Sequence, residues 1–292
     1  MLRIELLIDA GAALGEGPLW DVAEQRLYWI DGWGKKIHRC DAGGGGLVSR
    51  DAPSEVGAVI PREGGGAILA LRDGLYDFDI DSGAMDRIVD PDPGHARIHI
   101  NDGKVDRQGR LVFGYTDDDE TDPLAKVFRF DADRSVHELD KGYICVNGPC
   151  WSLDGRTLYL TDSPLRTIFA YAYDIASGGI SNRRVFADYE ALGISGYPDG
   201  ATVDAEGCVW SVRLFGGGLV RLTPDGAVDR IVGLPVDAPT SIAFGGPELD
   251  ILYVTSMSQP WGDWAPRERE AGGLFAIQGL GVRGVAERRF AG

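Results

Sequence analysis

Short runs of β-branched and aromatic residues recur along the chain between turn residues, and amphipathic helical periodicity is nearly absent. One set comprises RLYWID at 26–31, RLVFGYTD at 110–117, RTLYLTD at 156–162, CVWSVR at 208–213 and DILYVTS at 250–256, with a weaker GAILALRDG at 66–74. Runs this short, rich in Val, Leu, Tyr and Trp and bounded by Gly and Asp, predict strands. Each is followed by a second run: KIHRCD at 36–41, GLYDFDIDSG at 74–83, KVFRFDADRS at 126–135, TIFAYAYDIASG at 167–178, GLVRLTPDG at 218–226 and GLFAIQG at 273–279. Several of these alternate apolar and polar positions, as a half-buried antiparallel strand does. Their D-x-x-G, D-G and S-G endings supply the turns.

The runs belong to a repeat. Taking Glu16, Gly57, Asn101, Asn147, Asp199 and Thr240 as equivalent starts gives spacings of 41, 44, 46, 52 and 41 residues. Six units of that length predict an all-β fold, a six-bladed β-propeller with four-stranded blades. No Pro/Ser-rich linker or low-complexity block divides the sequence, so residues 1–292 read as one domain. A closed ring must join its first and last blades, or two sheet edges stay open. The run RIELLID at 3–9 has no partner in the first repeat and is expected to pair with the C-terminal blade near 273–290. The Gly runs at 43–46, 64–66 and 216–218 then fall in turns. Neither G-x-x-x-x-G-K-[ST] nor G-x-S-x-G occurs, which removes the P-loop and serine-hydrolase readings.

Charge narrows the partners. Asp and Glu number 45 against 29 Lys and Arg, a net charge of −16. Nucleic acid binding needs a basic face, and an anionic membrane surface repels this balance. Neither partner is expected. Glu5 and Asp9 break the apolar run that a signal peptide would need, and no segment approaches the roughly 18 apolar residues of a membrane span. The cysteines Cys40, Cys145, Cys150 and Cys208 lack C-x-x-C spacing, so they read as reduced thiols and the protein as cytoplasmic.

In a propeller, residues at the same register of each repeat converge on the axis although they lie far apart in sequence. Four such positions carry oxygen donors: Glu16 in L-G-E-G-P-L-W, Asn101 in N-D-G-K-V-D, Asn147 in V-N-G-P-C-W and Asp199 in Y-P-D-G-A-T-V-D. A glycine follows each within two positions. Carboxylate and amide oxygens suit a hard divalent cation such as Ca2+, Mg2+ or Mn2+, and carboxylate-rich zinc sites also occur. His95 and His99 have i, i+4 spacing, but the segment reads as extended and lacks the glutamate of H-E-x-x-H, which argues against a two-histidine zinc site. His99 fits better as a hydrogen-bonding residue of a pocket.

The motifs G-E-G-P-L-W, N-D-G-K-V-D-x-x-G-R, N-G-P-x-x-S-x-D-G-x-x-x-Y-x-x-D (Asn147 to Asp162) and Y-P-D-G-x-x-V-D-x-E-G-x-x-W (Tyr197 to Trp210) occur in order from Glu16 to about Ile277. Together they resemble the gluconolactonase/regucalcin (senescence marker protein) family. The resemblance implies a six-bladed propeller that hydrolyses a sugar lactone with one divalent metal ion, Ca2+ first, with Zn2+, Mn2+, Mg2+ or Fe2+ as alternatives. It implies Glu16, Asn147 and Asp199 as metal ligands, Asn101 as a substrate contact and Asp199 as general base, with water activated directly by the metal as the open variant. A phosphotriesterase at the same site and a non-catalytic calcium-binding propeller are the competing readings. The sequence departs from the family at His99, where the animal members carry Arg, and at G-Y-T-D-D-D-E (114–120), where they carry G-T-M. Both segments are expected to face the pocket, with His99 and Asp117 among the substrate contacts. Trp261 and Trp264 in the 256–270 segment read either as a sugar-stacking wall or as anchors of a long loop.

Overall fold

The alternation seen in the sequence becomes six antiparallel sheets of four strands each. The structure is a computed structural model that describes every residue except His95. The innermost strands are Gly15–Asp21, Val56–Pro61, Ile98–Val105, Val146–Trp151, Tyr197–Val203 and Pro239–Gly245, which define blades 1 to 6. Each packs against the next around the ring, and the sixth returns to the first. The result is a six-bladed β-propeller. The six positions taken as repeat starts all lie in the first residues of these strands.

Burial follows position in the blade. Second strands such as Ala67–Leu71 and Leu111–Asp117 are buried at every residue, because neighbouring blades cover both faces. Outermost strands such as Val228–Gly233 are mostly exposed. The core therefore lies between blades: Trp20 and Trp29 of blade 1 cluster with Tyr253 and Leu274 of blade 6, and Trp210 of blade 5 with Phe244 and Phe275 of blade 6.

The ring closes as expected. Arg3–Ile8 is the outermost strand of blade 6, with Ile4 opposite Ile277 and Leu6 opposite Phe275. The chain end closes the opposite face of the disc from the strand starts. Phe290 donates its N–H to Pro61 of blade 2 at 2.9 Å, and Ala291 donates to Gly109 of blade 3 at 2.9 Å. The Phe290 ring stacks on Phe130 with centroids 5.1 Å apart. Burying a side chain of this size contributes about 1.5–3 kcal/mol. Between the two faces the axis narrows to a void of about 20 Å³ bordered by Asp102, Lys104 and Ser241. All four cysteines are free and buried. Among the described residues no helix is long and apolar enough to cross a membrane.

Candidate active site at the mouth of the propeller

Every inner strand carries a register irregularity near its start, between Glu16 and Leu19, Val56 and Ala58, Ile100 and Asp102, Asn147 and Cys150, Pro198 and Ala201, and Pro239 and Ile242. A bulge bends its strand and re-aims the adjoining side chain. Here six bulges at one register turn the strand starts toward the axis. Gly17 and Gly148, directly after Glu16 and Asn147, have φ of 54° and 55°. These left-handed values favour glycine, which explains the E-G and N-G pairs in the sequence.

Glu16, Asn101, Asn147 and Asp199 line one pocket of about 770 Å³ that opens at this face. Asn147 donates through Nδ2 to Ser163 Oγ at 2.9 Å, and its Oδ1 accepts from Asn101 Nδ2 at 2.8 Å. Asp102 braces the floor from below by accepting from Gly103 N at 2.7 Å and Gly148 N at 2.8 Å. Gly148 follows Asn147, so this carboxylate fixes the bulge that presents the amide.

The electrostatics of the floor are unbalanced. Burial raises the Glu16 carboxyl well above its ordinary range, and the charge of Asp102 adds to the shift. Asp199 is raised in the same way by burial, then by Glu16, Asp102 and Glu120. Among the described residues no cationic side chain stands among the main causes of either shift. Among the described residues no cluster of three or more His, Cys, Asp and Glu side chains forms a metal site. The candidate set is instead two carboxylates and one asparagine oxygen. Its all-oxygen chemistry and the missing counter-charge fit a hard divalent cation.

The walls come from residues just beyond the second strands. Arg72, Asp118, Ser163, Phe215 and Met257 each directly follow such a strand and each lines the pocket. Arg72 of blade 2 lies between Glu55, 2.8 Å from its Nη1, and Asp118. His99 Nδ1 is 2.7 Å from Asp118 Oδ1, and burial lowers the imidazole's affinity for a proton despite that neighbour. Asp117 has no exposed surface. Its carboxylate accepts from Thr121 N and Asp122 N, both at 3.0 Å, and from Arg97 Nη2 at 3.0 Å. Burial alone would raise this carboxyl, but those donors outweigh it and hold it low. The side chain thus faces its own loop and shapes the turn that carries Glu120. Burial pushes Glu120 up to about 7, with Asp117 and Asp162 adding to the rise. The His95–His99 pair considered above falls outside the described residues at His95.

The chain matches the SMP-30/Gluconolactonase/LRE-like region over residues 14–258. It belongs to that family. Regucalcin of Xenopus laevis is 34% identical over 100% of this chain and 99% of its own length. A 6-deoxy-6-sulfogluconolactonase of Pseudomonas putida is 34% identical over 99% of both chains. The crystal structure of a regucalcin from Agrobacterium tumefaciens, described as a calcium-binding protein, superposes with a TM-score of 0.90 at 25% identity, covering 98% of this chain and 96% of that one. The SMP-30/gluconolactonase chain described here thus shares its full length with these relatives.

Sequence reasoning placed Glu16, Asn101, Asn147, Asp199, His99 and Asp117 at the pocket, and all six border it, although the Asp117 carboxylate is engaged by its own loop and Arg97. It missed Glu55, Arg72 and Phe215. The register past the second strands would have found two of them, since Arg72 and Phe215 occupy the same place in their blades as Asp118.

Proposed function

We propose that this protein hydrolyses a sugar lactone to its hydroxy acid, with Asp199 as general base. The observation that carries the reading is the meeting of Glu16, Asn147, Asp199 and Asn101 on the floor of one pocket. A lactonase among its full-length relatives supports the same chemistry. Glu16, Asn147 and Asp199 would hold one divalent cation, Ca2+ first, and a calcium-binding relative supports that choice. When bound, the cation supplies Lewis acidity at the lactone carbonyl and offsets the paired negative charge of the two carboxylates.

The chain's own residues account for the remaining steps. Asn101, already aligned on Asn147, presents its amide to the substrate. Asp199 takes a proton from the attacking water as the new C–O bond forms. The ring C–O bond then breaks, and the proton passes to the departing ring oxygen, leaving the hydroxy acid. Glu120, whose burial favours the protonated form near neutral pH, offers a donor to substrate oxygens. His99 and Asp118 form the hydrogen-bonding wall beside it.

A pH-indicator assay over a lactone panel tests the reading, before and after chelation and with added cations. Acid release above the spontaneous rate is expected, lost on chelation and restored by a divalent ion. Absence of cation-dependent turnover on every lactone would overturn it.

A further inference from the structure

The pocket is larger than a single sugar ring requires. Cavities near its 770 Å³ hold drug-sized ligands. Its lining also divides along the ring. Blades 5, 6 and 1 contribute aromatic side chains: Tyr197 and Phe215, Trp261 and Trp264, and Trp33. Blades 2 and 3, on the other side of the mouth, contribute Glu55, Arg72, His99 and Asp118.

The aromatic wall is built from one short turn. Trp261 and Trp264 exchange backbone hydrogen bonds, each 3.0 Å, which closes the turn between them. From this turn of blade 6, Trp261 stacks on Trp33 of blade 1, with centroids 5.3 Å apart and planes at 28°. Trp264 packs on Phe215 of blade 5 at 5.1 Å. The wall and anchor readings of these tryptophans are therefore one arrangement, because the stacking that fixes the turn also lines the cavity. Trp261 nevertheless remains 36% exposed and Tyr197 40% exposed. Large aromatic surface left open inside a cavity rim marks a binding surface.

We propose, building on the lactonase reading, that this wall is a subsite for a second, neutral sugar ring, so that the preferred substrate is a glycosyl aldonolactone. A pyranose has an apolar C–H face and hydroxyls around its edge, matching an aromatic wall on one side and carboxylates on the other. An alkyl chain would leave Glu55, Asp118 and Arg72 facing apolar surface, which is costly for polar groups. An anionic substituent would meet the acidic wall, where Glu55 and Asp118 outnumber Arg72. Arg72 does not offset them, because Glu55 and Asp118 already engage it.

The test measures kcat/KM on glucono-1,5-lactone, cellobiono-1,5-lactone and dodecano-1,5-lactone for the wild type, Trp261→Ala and Trp33→Phe. The wild type should favour the disaccharide lactone over the monosaccharide lactone by at least about fivefold, the scale of one aromatic stacking contact. Trp261→Ala should lose most of that preference through KM, and Trp33→Phe should retain part of it. Equal values for the two sugar lactones, equal losses on both in Trp261→Ala, or a preference for the alkyl lactone would each overturn the proposal. Tryptophan fluorescence titrated with cellobionate separates this outcome from failure of the lactonase reading. If no lactone is hydrolysed, saturable quenching whose apparent Kd rises in Trp261→Ala still supports the subsite, and no quenching of the wild type overturns it.

Discussion

The pocket floor and the opposite face of the propeller treat acids in opposite ways. On the face that carries the chain end, each one is matched. Asp204 accepts from Trp210 Nε1 and Arg221 Nε, both at 2.8 Å, and from Glu206 N and Cys208 N. Asp106 is held by Arg110 Nε at 2.7 Å and Tyr173 Oη at 2.6 Å. Asp21 pairs with Arg289 of the C-terminal tail. At the open face, Glu16 and Asp199 share a pocket floor without a cation of the chain. Buried charge is tolerated where partners satisfy it. The matched face thus reads as scaffold, and the unmatched floor as a place where a ligand completes the structure.

Substitutions on the two faces should separate these roles. The largest effect is expected for Asp204→Ala, which takes one of three carboxylates from buried Arg221, leaves Trp210 Nε1 and two backbone N–H groups without their acceptor and should cost about 3–5 kcal/mol of stability. Thermal or denaturant unfolding measures the loss, and the folded fraction should keep its rate per molecule. An equal fall in activity per folded molecule would break the division between the faces. Next, Asp199→Asn and Glu16→Gln should each lower kcat/KM at least about 100-fold, roughly 2.7 kcal/mol of barrier. Wild-type rates in both would remove these residues from the chemistry.

A smaller effect of opposite sign should appear in the same two variants under chelation. Removing one of the two raised carboxyls should stabilise the cation-free protein by about 1–2 kcal/mol, on the scale of one pKa unit per 1.4 kcal/mol. A loss of stability there would show that the floor is already balanced. The smallest effect is the pH dependence of the cation-free wild type. Its raised carboxyls bind protons more readily folded than unfolded, so this contribution is present at low pH and lost as pH rises through the folded-state values. Melting temperature should therefore rise from about pH 8 to about pH 5 under chelation, more than in Asp199→Asn, whose matched scaffold is unchanged. Identical pH profiles for the two proteins would contradict the assignment.

The scaffold was legible because its signals are periodic. The inner strands, the two strands that follow them and the turn aspartates repeat at a spacing that six blades require. Strands such as Ile180–Asp188 carried no such signal, being polar and mostly exposed, since only a blade's own neighbour covers them. The floor was legible for the same reason as the scaffold: Glu16, Asn101, Asn147 and Asp199 sit at one repeated register. The walls were harder to read. Glu120 lies in a D-D-D-E stretch that resembles a solvated turn, and only the fold around Asp117 buries it. Arg72 and Phe215 share the register of Asp118 just past a second strand, and only the closed ring turns that register toward the axis.

The six bulges have a consequence for redesign. Blades 1, 3, 4 and 5 place Glu16, Asn101, Asn147 and Asp199 on the floor, whereas blades 2 and 6 bring Gly57 and Thr240 to the same register. Those two blades instead send Arg72, Trp261 and Trp264 to the rim. Loops on blades 2 and 6 can thus be altered without displacing Glu16, Asn101, Asn147 or Asp199. A ring arranged this way lets its rim be remodelled apart from its floor.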